Sequence, residues 1–131
     1  MIVDSSAIMT VVLEEGESRR FAAAMAASPT SLRLSAGNWI ELAAVLTRTG
    51  DGSLWDIAER LIEEARVTIE PVTIEQAVIA REAYRRYGRG TQHKASLNFG
   101  DCFAYALAKA TGEPLLFKGD DFARTDITPA L

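Results

Sequence analysis

Apolar positions along this chain follow two rhythms. Short β-branched or leucine-rich runs, Met1 to Val3, Leu32 to Ser35, Val67 to Val72 and Leu115 to Phe117, read as strands. Between them lie longer segments with helical spacing. Asp4-Ser5-Ser6 is a cluster of good N-cap residues, and it predicts a helix running to about Glu15 and ended by Gly16. The alanine-rich segment Ser18 to Ala27 predicts a second helix, closed by Ser28-Pro29. Gly37 to Arg48 predicts a third, stopped by Thr49-Gly50-Asp51-Gly52. From Leu54 to Arg66 the residues Leu54, Ile57, Ala58, Leu61, Ile62 and Ala65 form one helical stripe. Thr73 to Tyr87 predicts a further helix, and Gly88 to Ser96 a polar loop. From Phe99 to Ala110 nearly every residue is apolar, which predicts a helix buried all round. A helical turn at Asp121 to Arg124 and a last short strand near Ile127 complete the chain. Short strands alternating with helices imply an α/β fold around a parallel sheet.

Composition narrows the function without naming it. The 131 residues suit a single domain spanning 1–131, with 48% hydrophobic and 24% charged residues. A net charge of -4 supplies no global basic field for nucleic acid, so any such contact needs a local patch. The lone Cys102 excludes an internal disulfide framework and fits a reducing cytoplasm, the expected location. No apolar run approaches the roughly 18 residues needed to span a bilayer. His93 is the only histidine, which excludes a two-histidine acid–base nuclease, and neither a C-x-x-C nor a G-x-S-x-G motif is present.

The acids carry the chemistry. Ligands of open parallel sheets bind at the carboxyl ends of the strands. Asp4 follows the first strand, Asp120 and Asp121 follow Leu115 to Phe117, and Asp101 opens the helix leading into that strand. Glu41 lies in the otherwise apolar helix Trp39-Ile40-Glu41-Leu42-Ala43-Ala44-Val45-Leu46, with no cation at i+3 or i+4. Carboxylates brought together repel, and one would take up a proton unless a cation intervened. All-oxygen ligation suits a hard divalent ion, Mg2+ or alternatively Mn2+.

Each acid also has an ordinary reading. Asp4 serves as an N-cap, Asn98-x-x-Asp101 forms a capping box, Asp120 and Asp121 fit a turn, and Glu41 fits a solvated helix face. A Mg2+-dependent phosphohydrolase with a nucleophilic Asp4 is one alternative function, although Ser6 stands where that chemistry wants a second acid. A non-catalytic binding module is another. Residues 81–94, REAYRRYGRGTQHK, set Arg81, Arg85, Arg86, Arg89 and Lys94 against only Glu82, with Tyr84 and Tyr87 between them. Arginines with aromatics suit single-stranded RNA, and so does a solvated helix end.

The segments IVDSSA, NWIELAAVL, LNFGDCFAYALAKATGEPLLFKGDDF and TDI together resemble the PIN-domain ribonucleases, and among them the VapC-type toxins of bacterial toxin–antitoxin pairs. That resemblance covers essentially the whole chain. It implies a short parallel sheet of order 3-2-1-4-5 with helices on both faces, and Mg2+-dependent endoribonuclease activity. Its acidic set falls on Asp4, Glu41, Asp101 and one of Asp120 and Asp121, with Asp121 favoured because it directly precedes Phe122. Asp4 and Asp101 are then the principal metal ligands. Glu41 and Asp121 orient the attacking water. Ser6 and Asn38 match polar positions beside the first and second acids and, with Arg86 and Lys118, are the expected substrate contacts. The resemblance also implies a VapB-type antitoxin that blocks the acidic cleft, and a homodimer. The stripes Leu54 to Ala65 and Phe21 to Met25 could serve as dimer surface or as core.

Overall fold

In the computed structural model, which describes residues 1–131, four strands form one parallel sheet: β1 (Ile2–Val3), β2 (Arg33–Ser35), β3 (Thr68–Glu70) and β4 (Leu115–Leu116). Their order is β3-β2-β1-β4, with Ile2 opposite Arg33 and Leu115, and Val3 opposite Leu116. Successive side chains on a strand face opposite sides of a sheet. Two-residue strands can therefore feed two cores. Val3 and Leu116 join the core built by α1 (Ser5–Val12), α2 (Ser18–Ala26), α3 (Ala36–Arg48) and α4 (Ser53–Glu64). Ile2 and Leu115 join the core under α5 (Ile74–Tyr87) and α6 (Asp101–Thr111). Helices thus cover both faces, as expected of an α/β fold. No helix is long and apolar enough to cross a membrane.

The fifth strand is reduced to one bridge. Leu115 donates its N–H to Thr128 O (2.9 Å), and Ala130 donates to Leu115 O (2.9 Å), around a parallel bridge from Leu115 to Pro129. Proline has no N–H to extend a ladder, and β4 is only two residues long. The position beside β4 is the one the order 3-2-1-4-5 requires. The third strand is also shorter than the apolar run Val67 to Val72.

The stripe on α2 is core, and so is that on α4 except at Ile57, which is exposed. Phe21, Met25, Ala58 and Ile62 are buried, and Trp39 of α3 packs on Trp55 of α4 with ring centroids 5.9 Å apart. His93 is a loop residue whose Nδ1 accepts from Ala95 N (3.1 Å). The expectation of an all-round buried helix needs correction at both ends: Lys109 and Ala110 are exposed, and Phe103 is only partly buried. The helix begins at Asp101 instead of Phe99, and Phe99 is 75% exposed. The residues Cys102 and Ala104 to Ala108 are buried as expected, because α6 lies between the sheet and α5.

Candidate active site: a carboxylate cluster at the carboxyl edge of the sheet

Where β1 ends, its last carbonyl gives way to the first turn of α1. Asp4 sits at that junction as the N-cap, with extended backbone (φ -79°, ψ 156°). Its Oδ2 accepts from Ser6 N (2.9 Å) and from Ser6 Oγ (2.5 Å). Ser6 Oγ in turn accepts from Lys118 N (3.0 Å), which ties the loop after β4 to the first acid. Asp4 is only 3% exposed. Burial pushes its carboxyl up to about 6, against the lowering effect of the Ser6 hydrogen bonds, and Glu41 adds to the rise.

Next to β1, β2 delivers α3 to the same edge, with Ser35 as N-cap accepting from Gly37 N (3.3 Å). Asn38 and Glu41 lie one turn apart on that helix. Ser5 Oγ donates to Glu41 Oε2 (2.8 Å), and Asn38 Nδ2 donates to the same oxygen (3.1 Å). Asn38 Nδ2 also reaches Asp4 Oδ1 (3.4 Å) and Gly100 O (3.0 Å). One fully buried amide therefore spans the first acid, the second acid and the loop that carries the third. Its own carbonyl, Oδ1, is buried without a hydrogen-bond partner.

The third acid is held by a reciprocal capping box. Asn98 N donates to Asp101 Oδ2 (2.7 Å), and Asp101 N donates to Asn98 Oδ1 (2.9 Å). The capping and the clustering are thus both true of Asp101. Burial pushes its carboxyl up to about 7 despite the Asn98 hydrogen bond, and the charges of Asp4, Asp121 and Glu41 push in the same direction. Asp121 stands at the start of a short 3-10 turn (Phe122–Arg124) and is exposed. Asp121 acts on Asp101 electrostatically, whereas Asp120 is not among the groups that shift it.

These four carboxylates have no cationic partner: every salt bridge of the chain lies elsewhere. No three of them close to a common ligand set. The donor chemistry nevertheless fits a hard divalent ion. It is all oxygen, two of its carboxyls are raised by burial and mutual repulsion, and a buried carbonyl beside them lacks a donor.

The remaining expected contacts are distributed differently. Asn38 is fully buried, so it braces the acids and does not present itself to a substrate. Ser6 spends its hydroxyl on Asp4. The Lys118 ammonium pairs with Glu15, and its backbone N–H serves Ser6. Arg86 is exposed and lies 4.8 Å over the Tyr87 ring. Tyr87 is buried, which removes it as a stacking surface, while Tyr84 stays exposed. Arg85 is bound to Glu82 through two hydrogen bonds (2.7 and 2.8 Å). Two residues went unnoticed in the sequence. Ser5 was visible only as a second hydroxyl beside Asp4. Gly100 gave no signal, yet a Cβ there would lie 1.9 Å from Glu41 Oε1. Its φ of -63° accepts alanine. Gly100→Ala should therefore fold with a melting temperature within a few degrees of wild type while displacing Glu41. Misplacing a reacting group by about 1 Å can cost about 10²-fold in rate, and turnover measured beside thermal unfolding tests both halves.

The PIN domain family model matches residues 1–127. The chain is 47% identical to Ribonuclease VapC42 of Mycobacterium tuberculosis over 130 residues, covering 99% of this chain and 98% of that protein. It is 46% identical to Ribonuclease VapC28 of the same organism over 131 residues, covering 100% and 98%. Among solved structures, that of VapC20 of M. tuberculosis, a sarcin-ricin loop cleaving toxin, matches with a TM-score of 0.75 at 17% identity, covering 97% of this chain and 95% of that one. A toxin–antitoxin complex from Klebsiella pneumoniae matches with a TM-score of 0.65 at 18% identity, covering 93% and 89%. The two structures speak for the fold, and the two ribonucleases for the family. The chain belongs to the PIN-domain family, within it to the VapC-type ribonuclease toxins.

Proposed function

We propose that this toxin hydrolyses RNA phosphodiester bonds at the Asp4, Glu41, Asp101 and Asp121 cluster, using Mg2+ or Mn2+. The observation that carries this reading is the uncompensated charge. Asp4 and Asp101 are both raised by burial, and no lysine or arginine neutralises them. A divalent ion, when bound, supplies charge to offset a phosphodiester's own and makes water more acidic. The chain supplies the frame. Ser6 holds one oxygen of Asp4 and leaves Oδ1 for a ligand, with Asn38 steering it. Asp101 keeps one oxygen on Asn98 N, which leaves the other for a ligand. Glu41, fixed by Ser5 and Asn38, and Asp121, free at the rim, orient the attacking water. In-line attack leaves a 5′-phosphate and a 3′-hydroxyl.

Asp4 and Asp101 are the principal ligands in this reading. Exposed Arg86 contributes to the RNA path. A VapB-type antitoxin would neutralise the cleft, most simply by laying a basic side chain among the acids. The active unit would be a homodimer in the cytoplasm. The decisive experiment sequences RNA carrying 5′-phosphate ends after induction of wild type and Asp4→Asn in parallel. New ends should appear with wild type alone; equal ends from both would remove Asp4 from the chemistry.

A further inference from the structure

Phe99 lies two residues before Asp101 and is 75% exposed, whereas the other four phenylalanines are buried or partly buried. The Phe99 ring meets Phe103 edge to face, with centroids 5.0 Å apart and planes at 82°. Phe103 in turn presses on α3 at Gly37, where a Cβ would lie 2.4 Å from Phe103 Cγ. The exposed ring therefore rests on Phe103, which is itself packed against α3.

Two cavities meet at this ring. One, of about 500 Å³, opens between α5 and α6; Phe99, Phe103 and Tyr84 form its apolar wall, and Arg81 and Arg85 its cationic rim. The other, of about 470 Å³, runs along α3 to Glu41, past Ile40 and Asn98. Phe99 and Phe103 line both. The ring thus connects the carboxylate cluster to an apolar slot edged by arginine. Arg85 is occupied by Glu82, but Arg81 has no ion pair.

We propose that Phe99 is a stacking platform for a nucleobase of the RNA adjoining the scissile phosphate, with the base lodged in the slot between α5 and α6 and Arg81 on its phosphate. This rests on the reading of the carboxylate cluster as an RNA-cleaving site. Charge complementarity selects the occupant. The slot combines apolar and aromatic side chains with Arg81 and Arg85, in a chain of net charge -4. A purely apolar partner would leave the Arg81 charge unpaired, whereas the phosphate of a nucleotide pairs with it. Base–aromatic stacking tolerates any base because every base has a π face. This site therefore governs affinity for unpaired RNA more than sequence choice.

The test uses the full-length protein and a short single-stranded RNA carrying 2-aminopurine on either side of the cleavage position mapped with wild type. Phe99→Ala and Phe99→Leu should raise KM roughly tenfold or more, and Phe99→Trp should restore it. The 2-aminopurine quenching seen with wild type and Phe99→Trp should vanish in the other two. The thermal shift produced by Mn2+ should be the same in all four proteins, which separates a base contact from a damaged acid cluster. Wild-type KM in Phe99→Leu overturns the inference. So does a change of oligomeric mass in Phe99→Ala with unaltered RNA affinity, which would assign the slot to a second copy of the chain. Wild-type protein that cleaves no RNA overturns the proposed function, and this inference with it.

Discussion

Asp101→Asn is expected to abolish RNA cleavage and to make the metal-free protein more stable. The two effects have one cause. Asp101 is a half-buried carboxyl pushed up to about 7, first by burial and then by Asp4, Asp121 and Glu41. Asparagine keeps the shape, and its Oδ1 can still accept from Asn98 N, the 2.7 Å bond that starts the helix. It removes the charge that its surroundings resist. Each unit of pKa displacement corresponds to about 1.4 kcal/mol, so the relief at pH 8 is on the order of a few kcal/mol. For a domain of this size that means a rise of several degrees in melting temperature, by the usual scaling of about 2–8 °C per kcal/mol. Activity should fall at least about 10³-fold, because the amide is a poor ligand for a hard cation and cannot replace the charge. Thermal unfolding in EDTA at pH 8, beside turnover of a fluorogenic RNA, reads both. A variant that is inactive but also less stable than wild type would show that Asp101 is held mainly as a cap. Strain tolerated at a working site in exchange for function is the general expectation for such clusters.

The metal-free wild type should lose stability as pH rises from about 4 to about 8. Asp4 and Asp101 have folded values raised from 3.8 to about 6 and about 7, so across this window the folded state holds protons that the unfolded chain has released. Folding is then opposed by deprotonation: the penalty is absent below about pH 4 and complete above about pH 7. It is on the order of several kcal/mol for the two groups together. Below about pH 4 the slope reverses. There Asp126, held below the usual carboxylate range by the Tyr105 hydroxyl and then by Lys109, takes up its proton and loses those contacts. Mg2+ or Mn2+ should raise the melting temperature strongly at pH 8 and weakly at pH 5, because binding competes with the protons and stabilises only the folded state. Denaturant unfolding across pH in EDTA, repeated with each ion, checks this. A flat profile from pH 5 to pH 8, or equal metal shifts at both ends, would mean that the acids do not share one electrostatic environment.

Much of this arrangement could be read before folding was considered, and the reason is local. Asp4-Ser5-Ser6 after an apolar triplet specifies a strand end and a helix start through the hydrogen bond from Ser6 N to the Asp4 carboxylate. Asn98-x-x-Asp101 specifies another helix start in the same way. Both signals lie within four residues. What could not be read depends on neighbours distant in sequence. Phe99 looks like the first residue of a buried helix, since it continues an apolar run. It is exposed because the capping box starts the helix after it and leaves its side chain outside the α5–α6 packing. Lys118 looks free for phosphate until the turn after α1 brings Glu15 beside it. Asn38 looks like a surface amide until Gly100 closes over it.

The sequence by itself determined most of the element types and the placement of Asp4 and Asp101 at helix starts, because caps, turns and apolar periods are short-range properties of the chain. Only the tertiary structure decided which polar groups serve as braces and which face outward. Ser5, Asn38 and Gly100 acquire their roles from contacts between the start of α1, α3 and the loop before α6, separated by up to 62 residues. The burial that lifts Asp4 and Asp101 is a property of the packed layers, and no window of sequence contains it.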